Sequence, residues 1–313
     1  MSHPHTHAHA PFDAPADADA DAHGHGHTHG HGDGHAQHQH PHPAEDEAAQ
    51  AEVLDLDAEV LAGHLAAITD WLPLDAEPRR IVDLGAGTGA GTFALLRRFP
   101  AARVTAVDAS PGHLLRLREK AAALGLDDRV GTVQADLDAE HWPDLGTPDL
   151  VWASASMHHL ADPGQALGRV RELLGDGGVF ALVELAGFPR FLPADAPAER
   201  PGLEERCHAA TDHLHAEHVP HRGADWGPLL TAAGLTVTGE RTVTVDVDAT
   251  EHPSVGRYAL ATLRRIRTAV AEQLDPADLA ALDRLLDADG PGSIALREDL
   301  AVRTERQVWA ARR

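Results

Sequence analysis

Residues 81–91, Ile81-Val82-Asp83-Leu84-Gly85-Ala86-Gly87-Thr88-Gly89-Ala90-Gly91, hold the densest set of chemically useful positions in the chain. Glycines there let a backbone turn tightly and lie close against a ligand, at the start of a helix whose free N–H groups face the same way. Taken alone, Gly85-x-Gly87-x-x-Ala90 also fits the dinucleotide fingerprint of nicotinamide-dependent oxidoreductases, and a glycine turn with no ligand has the same appearance. Asp108 closes a second β-rich run, 23 residues after Gly85, where a carboxylate can accept both hydrogen bonds of a ribose diol. Asp136 closes a third run, placed to receive an adenine amino group. Each acid alone is equally a turn or cap residue. Together they place a nucleoside ligand at one edge of a sheet.

A second constellation is Ser156-Met157-His158-His159-Leu160, after a fourth β-rich run, with Glu184 near the end of a fifth. A neutral histidine can take a proton near pH 7, as a hydroxyl nucleophile requires. The bland alternatives are a pair that caps the next helix or walls a pocket, and a solvated strand end at Glu184. A third group is Cys207, His208, His213, His215, His218 and His221; His208, His215 and His218 share a face if that segment is helical, which suits either a metal or an exposed polar helix. No catalytic or structural metal is expected in the domain.

The elements that must position these groups follow from periodicity. Residues 81–84, 103–108, 129–136, 149–154 and 178–185 read as strands, with helices at 90–99, 111–124 and 163–174. Near-continuous apolar strands joined by helices predict a doubly wound α/β domain with a parallel sheet. Before it, Val53, Leu56, Val60, Leu61, Leu65, Ile68 and Trp71 recur at helical steps, and the folded domain is expected from about residue 48. After it, residues 186–222 are Pro-rich and then His-rich. A helix at 224–233, a strand at 235–247, a helical pair at 254–274 and 276–288, and a last strand at 300–311 complete the domain. The helical pair carries apolar faces that would suit a dimer.

In this arrangement the sequence resembles the class I S-adenosylmethionine-dependent methyltransferases, in particular those acting on small molecules. VDLGAGTG is similar to their first motif, Ala135-Asp136-Leu137 to their adenine-binding segment, Asp149-Leu150-Val151-Trp152-Ala153-Ser154 to their fourth strand, and Leu173-Leu174-x-x-Gly177-Gly178 to the approach to their fifth. The resemblance implies a Rossmann-like seven-stranded sheet with an antiparallel last strand, and S-adenosyl-L-methionine at its carboxyl edge. It assigns cofactor contacts to Asp83, Gly85, Ala86, Gly87 and Gly89 in the first loop, and to Asp108, Ala109, Asp136, Leu137 and Ser154 at the following strand ends. His158, His159 and Glu184 are the candidate catalytic residues, and residues 186–222 shape the acceptor pocket. The implied reaction is methyl transfer to a small-molecule acceptor, a hydroxyl of a natural product or metabolite among the options. A nicotinamide-dependent oxidoreductase is disfavoured by the Gly85-x-Gly87-x-Gly89 spacing and by the lack of a YxxxK pair; a metal-buffering protein on a methyltransferase fold is the other alternative.

Composition narrows the partners. The chain has 313 residues and a net charge of −23; residues 1–57 hold 13 of the 24 histidines, 11 acidic residues and no Lys or Arg. The rest is still acidic, with no basic cluster, so charge disfavours a nucleic-acid partner and none is expected. Residues 1–45 have little apolar content beyond alanine and are expected to be disordered, while their imidazoles would hold Zn²⁺, Ni²⁺ or Cu²⁺ through shifting ligand sets. One cysteine permits no internal disulfide, and no apolar run or signal peptide is evident; a cytoplasmic protein without a membrane partner is expected.

Overall fold

The computed structural model describes residues 43–216 and 219–313. The His-rich leader expected over residues 1–45 falls almost wholly outside these, as does His218. Among the described residues the chain runs α1 (Pro43–Val60), α2 (Ala62–Trp71), β1 (Arg80–Leu84), α3 (Ala90–Arg98), β2 (Arg103–Asp108), α4 (Pro111–Ala123), β3 (Val130–Gln134) and β4 (Leu150–Ser154). It continues through α5 (Pro163–Leu173), β5 (Val179–Leu185), α6 (Leu203–His215), α7 (Trp226–Ala232), β6 (Thr236–Asp248), α8 (Val255–Ala269), α9 (Pro276–Leu286) and β7 (Ala301–Arg312).

The strands form one sheet in the order β3-β2-β1-β4-β5-β7-β6. β1 to β5 pair in parallel, and β7 lies antiparallel between β5 and β6. The pleat divides the apolar runs between two faces. Ile81, Val104, Leu150 and Trp152 pack on one side with Ile68 of α2 and Leu95 and Phe99 at the end of α3. Val82, Val151, Phe180 and Leu182 pack on the other with Leu167 and Val170 of α5 and Trp226 and Leu230 of α7. Chain reversal in the parallel part puts every β-to-α loop at the carboxyl edge, so the ends of β1, β2, β3 and β4 meet there.

The helices start where side chains satisfy their free N–H groups. Ser110 accepts from His113 N at 3.0 Å and Pro111 follows it in α4; Asp162 accepts from Gln165 N at 2.9 Å with Pro163 next in α5. Each cap is worth about 1 kcal/mol.

The structure changes the expected helix bounds and the use of the apolar faces. The helix anticipated from Val53 to Trp71 is two, because the backbone leaves helical geometry at Leu61 (φ −95°, ψ 13°). The first of them starts at Pro43, ahead of the apolar period that begins at Val53: Glu47 reaches the Ser110 hydroxyl, which anchors turns that have no apolar period of their own. Within 186–222 lies α6, which the Pro-rich lead-in concealed. The apolar faces of α8 and α9 are spent inside the molecule, where Tyr258, Leu263, Ile266, Leu282 and Leu285 form a core with Leu56 and Val60 of α1 and Leu203 and Cys207 of α6.

Candidate active site

Each parallel strand delivers one group to the carboxyl edge. After β1 the chain turns through Gly85 (φ +67°), Gly87 (φ +54°) and Gly89 (φ +98°). At Gly85 a side chain is impossible: its Cβ would lie 2.3 Å from Ser156 Cβ. Ser156 itself donates to Leu84 O at 2.9 Å, so the loops after β1 and β4 are locked together. Ala86 N donates to Val107 O at 2.9 Å, which ties the same turn to β2.

Asp108, at the end of β2, accepts from Gly87 N at 2.8 Å and from Ser110 N at 2.9 Å, and His113 Nδ1 is 3.4 Å from its Oδ1. Burial pushes this carboxyl up, but the bonds from His113, Ser110 and Gly87 outweigh it and hold it below its ordinary value. Asp83 is buried and accepts from Thr92 Oγ1 at 2.6 Å. Burial, with Asp108 nearby, raises its carboxyl to about 7 despite that bond. Two neighbouring acids thus sit in opposite regimes.

These groups converge on a cavity of about 450 Å³. Asp83, Gly85, Ala86, Gly87, Asp108 and Ala109 line it, as do Asp136, Leu137, Ser154, His158 and His159. Gly89 does not; a Cβ there would press on Phe93 and Leu117, so its glycine serves the packing of α3 on α4. A wider groove of about 930 Å³ between α1 and α8 carries none of the motif residues. Convergence, not size, selects the site.

The histidine pair lies in a short 3-10 turn, Met157–His159, entered through Ala155 in the left-handed region at φ +51°. Such backbone costs energy in a residue with a side chain, and here bonds on both sides hold it. Ala155 N donates to Val183 O at 2.8 Å, and Glu184 Oε1 accepts from Met157 N at 2.9 Å and His158 N at 3.3 Å. The other oxygen, Oε2, lies 2.5 Å from His158 Nδ1. Glu184 is 1% exposed and His158 2%, so Glu184 is no solvated strand end. It stands behind His158, off the cavity. The rings of His158 and His159 lie 4.1 Å apart, tilted by 39°.

Several lining residues escape sequence reasoning. Gln50, Leu54 and Asp57 of α1 form a wall, at spacings that the neighbouring apolar stripe hides. His113 lines the cavity beside Asp108; its signal is its position three residues after the Ser110 cap, one turn into α4 on the side of the acid. Of the third histidine group, His208 is buried, 3.7 Å from Glu204, while the side chain of His215 and the whole of His218 lie outside the described residues. Among the described residues no group of three or more His, Cys, Asp or Glu is arranged to hold a metal ion.

Comparison with known proteins bears on the family and the fold. A family model for a methyltransferase domain matches residues 82–180. Trans-aconitate 2-methyltransferase of Mycolicibacterium gilvum is 32% identical over 221 residues, 69% of this chain and 80% of that enzyme. Malonyl-[acyl-carrier protein] O-methyltransferase of Halorhodospira halophila is 39% identical over 106 residues, 34% of this chain and 35% of that enzyme. Among solved structures, a Bacillus halodurans C-125 protein provisionally assigned as a methyltransferase shares the fold, with TM-score 0.50 and 17% identity over 79% of this chain and 97% of that one.

Proposed function

The chain belongs to the class I S-adenosylmethionine-dependent methyltransferases, and on that premise we propose that it methylates an oxygen of a small organic acceptor in the cytoplasm, with His158 as general base. The lining supports the cofactor's placement in the 450 Å³ cavity. Gly85, Ala86 and Gly87 offer bare backbone to a ligand, Asp108 and Asp136 offer acceptors to the hydroxyl and amino groups of a nucleoside, and Ala109, Leu137 and Ser154 complete the wall. With Asp83, these acids give a negative surface suited to a ligand that bears sulfonium and ammonium charges.

Bound there, the cofactor supplies a methyl carbon on a positive sulfur, open to in-line displacement. The protein's share is alignment and exclusion of water, together with removal of a proton from a hydroxyl acceptor. The observation that carries the proposal is the buried 2.5 Å contact between His158 Nδ1 and Glu184 Oε2. Glu184 already accepts two backbone N–H groups, so it acts as an acceptor toward the ring as well; Nδ1 carries the proton and Nε2 is left to receive one. Glu184 positions, and His158 takes the proton, with the tilted ring of His159 beside it as pocket wall.

The test reads S-adenosylhomocysteine release with an acceptor panel that includes trans-aconitate and hydroxylated aromatic acids. With a hydroxyl acceptor, His158→Ala lowers turnover by about 10² to 10⁴ and removes the acidic limb of the pH profile, while cofactor affinity stays. A carboxyl acceptor is the second reading, favoured by the acids in the names of the relatives from Mycolicibacterium gilvum and Halorhodospira halophila. A carboxylate needs no base, and the same variant then loses less than tenfold with an unchanged profile. Apart from methyl transfer, the 13 histidines of residues 1–57 form a reservoir for Zn²⁺, Ni²⁺ or Cu²⁺ in our reading, because imidazole ligates these ions.

A further inference from the structure

We propose that His113 is a cofactor-binding residue, holding the Asp108 carboxylate through Nδ1 while its Nε2 accepts a hydrogen bond from a ribose hydroxyl of the cofactor. This rests on the assignment of the cavity to S-adenosylmethionine. His113 occupies the first turn of α4, where its backbone N–H is fixed by the Ser110 side chain at 3.0 Å. The residue is 7% exposed, and it lines the cavity together with Asp108, Ala109 and Asp136.

The two ring nitrogens differ. Nδ1 lies 3.4 Å from Asp108 Oδ1. That carboxylate accepts from two backbone N–H groups, and it acts as an acceptor toward the ring as well, so the tautomer that meets it carries its proton on Nδ1. Nε2 is then a lone pair, and it is buried without a hydrogen-bond partner in the structure. A buried polar atom of this kind is costly in a closed core. In the wall of a cavity its partner is a ligand bearing a donor.

Adenosine offers donors at its two ribose hydroxyls and its amino group. The amino group belongs with Asp136 in the proposed arrangement, after the neighbouring strand β3, whereas Asp108 and His113 adjoin each other. One hydroxyl of the diol goes to the carboxylate and the other to the imidazole. The pair divides the diol between two acceptors.

Calorimetry with S-adenosylhomocysteine and its 2′-deoxy and 3′-deoxy analogues tests this without an acceptor. The wild type is expected to lose about tenfold in affinity when the hydroxyl facing His113 is absent. His113→Ala binds S-adenosylhomocysteine about tenfold more weakly and no longer distinguishes that deoxy analogue. His113→Asn, whose amide falls near the Nδ1 position, matches the alanine variant in this discrimination, and His113→Gln, which reaches the Nε2 position, recovers part of it. Should the alanine variant fail to fold, the Asn and Gln pair gives the same reading. Variants that bind within twofold of the wild type, or that retain its full discrimination, overturn the proposal and leave the cavity's assignment standing. A wild type that does not bind S-adenosylhomocysteine at all overturns both.

Discussion

Asp83 and Asp108 show how two like residues a strand apart acquire different chemistry. Asp108 is stabilised as an anion by three donors; Asp83, buried with one hydroxyl donor, titrates at about 7. A cationic ligand in the cavity favours the ionised form of Asp83, so binding S-adenosylmethionine at pH 7 should expel a fraction of a proton. The heat of binding should then vary with the ionisation enthalpy of the buffer, and affinity should rise with pH through about 7. In Asp83→Asn both dependences should vanish; a wild type with no buffer dependence would contradict the raised value. The spacing of Asp83, Asp108 and Asp136 was legible because glycines and strand-end acids have few other reasons to recur together. His113 was not, since a polar residue in the first turn of a helix has the same look whether it faces solvent or a ligand. The His158–Glu184 contact was legible as two candidates, but their 2.5 Å approach depends on the left-handed Ala155, which no propensity foretells.

At the scale of elements, most strands and helices fall where alternation and the 3.6-residue period put them, and the exceptions have tertiary causes. α1 is held to α4 along its length by acidic residues: Glu47, near its start, meets Ser110, and Asp55 accepts from Arg116 Nε at 2.6 Å and also pairs with Lys120. α6 is held by charge to α9. Asp278, 2% exposed, accepts from Arg206 at 2.6 and 2.7 Å and from Arg200 Nε at 2.6 Å. Those bonds, Arg206 foremost, hold its carboxyl far below the usual range against the cost of burial. Because the folded value lies below the unfolded one, the stabilisation is present above about pH 4 and is lost as pH falls. Asp278→Asn should cost about 1 to 2 kcal/mol at pH 7, since Arg200, still paired with Asp275, and Arg206 remain partly exposed to water. Denaturant unfolding should show the difference from wild type shrinking well below pH 4; a pH-independent difference would mean that shape, not charge, joins these helices.

For the molecule as a whole, the antiparallel β7 wedged between β5 and β6 separates this sheet from a dinucleotide-binding one, whose glycine turn it shares. Periodicity gives a last strand but no direction; the direction came with the family resemblance. No helix among the described residues is long and apolar enough to cross a membrane. α1 walls the cavity through Gln50, Leu54 and Asp57, which sets where the N-terminus is dispensable. A chain starting at Ala44 should bind S-adenosylhomocysteine as the full chain does while losing most of its divalent-metal capacity, whereas one starting after Asp57 should lose cofactor affinity. Equilibrium dialysis with Ni²⁺ and calorimetry with S-adenosylhomocysteine check the two halves, and full affinity in the shorter chain would remove α1 from the site. The most direct measurement is calorimetry of S-adenosylhomocysteine on the wild type and on Asp108→Ala, the acid on which Gly87, Ser110 and His113 converge. Binding by the wild type is expected, with a loss in the variant of at least tenfold, since a charge-assisted hydrogen bond is worth about 1.5 to 3 kcal/mol. A wild type that does not bind, or a variant that binds equally well, would contradict a cofactor site at the carboxyl edge of this sheet.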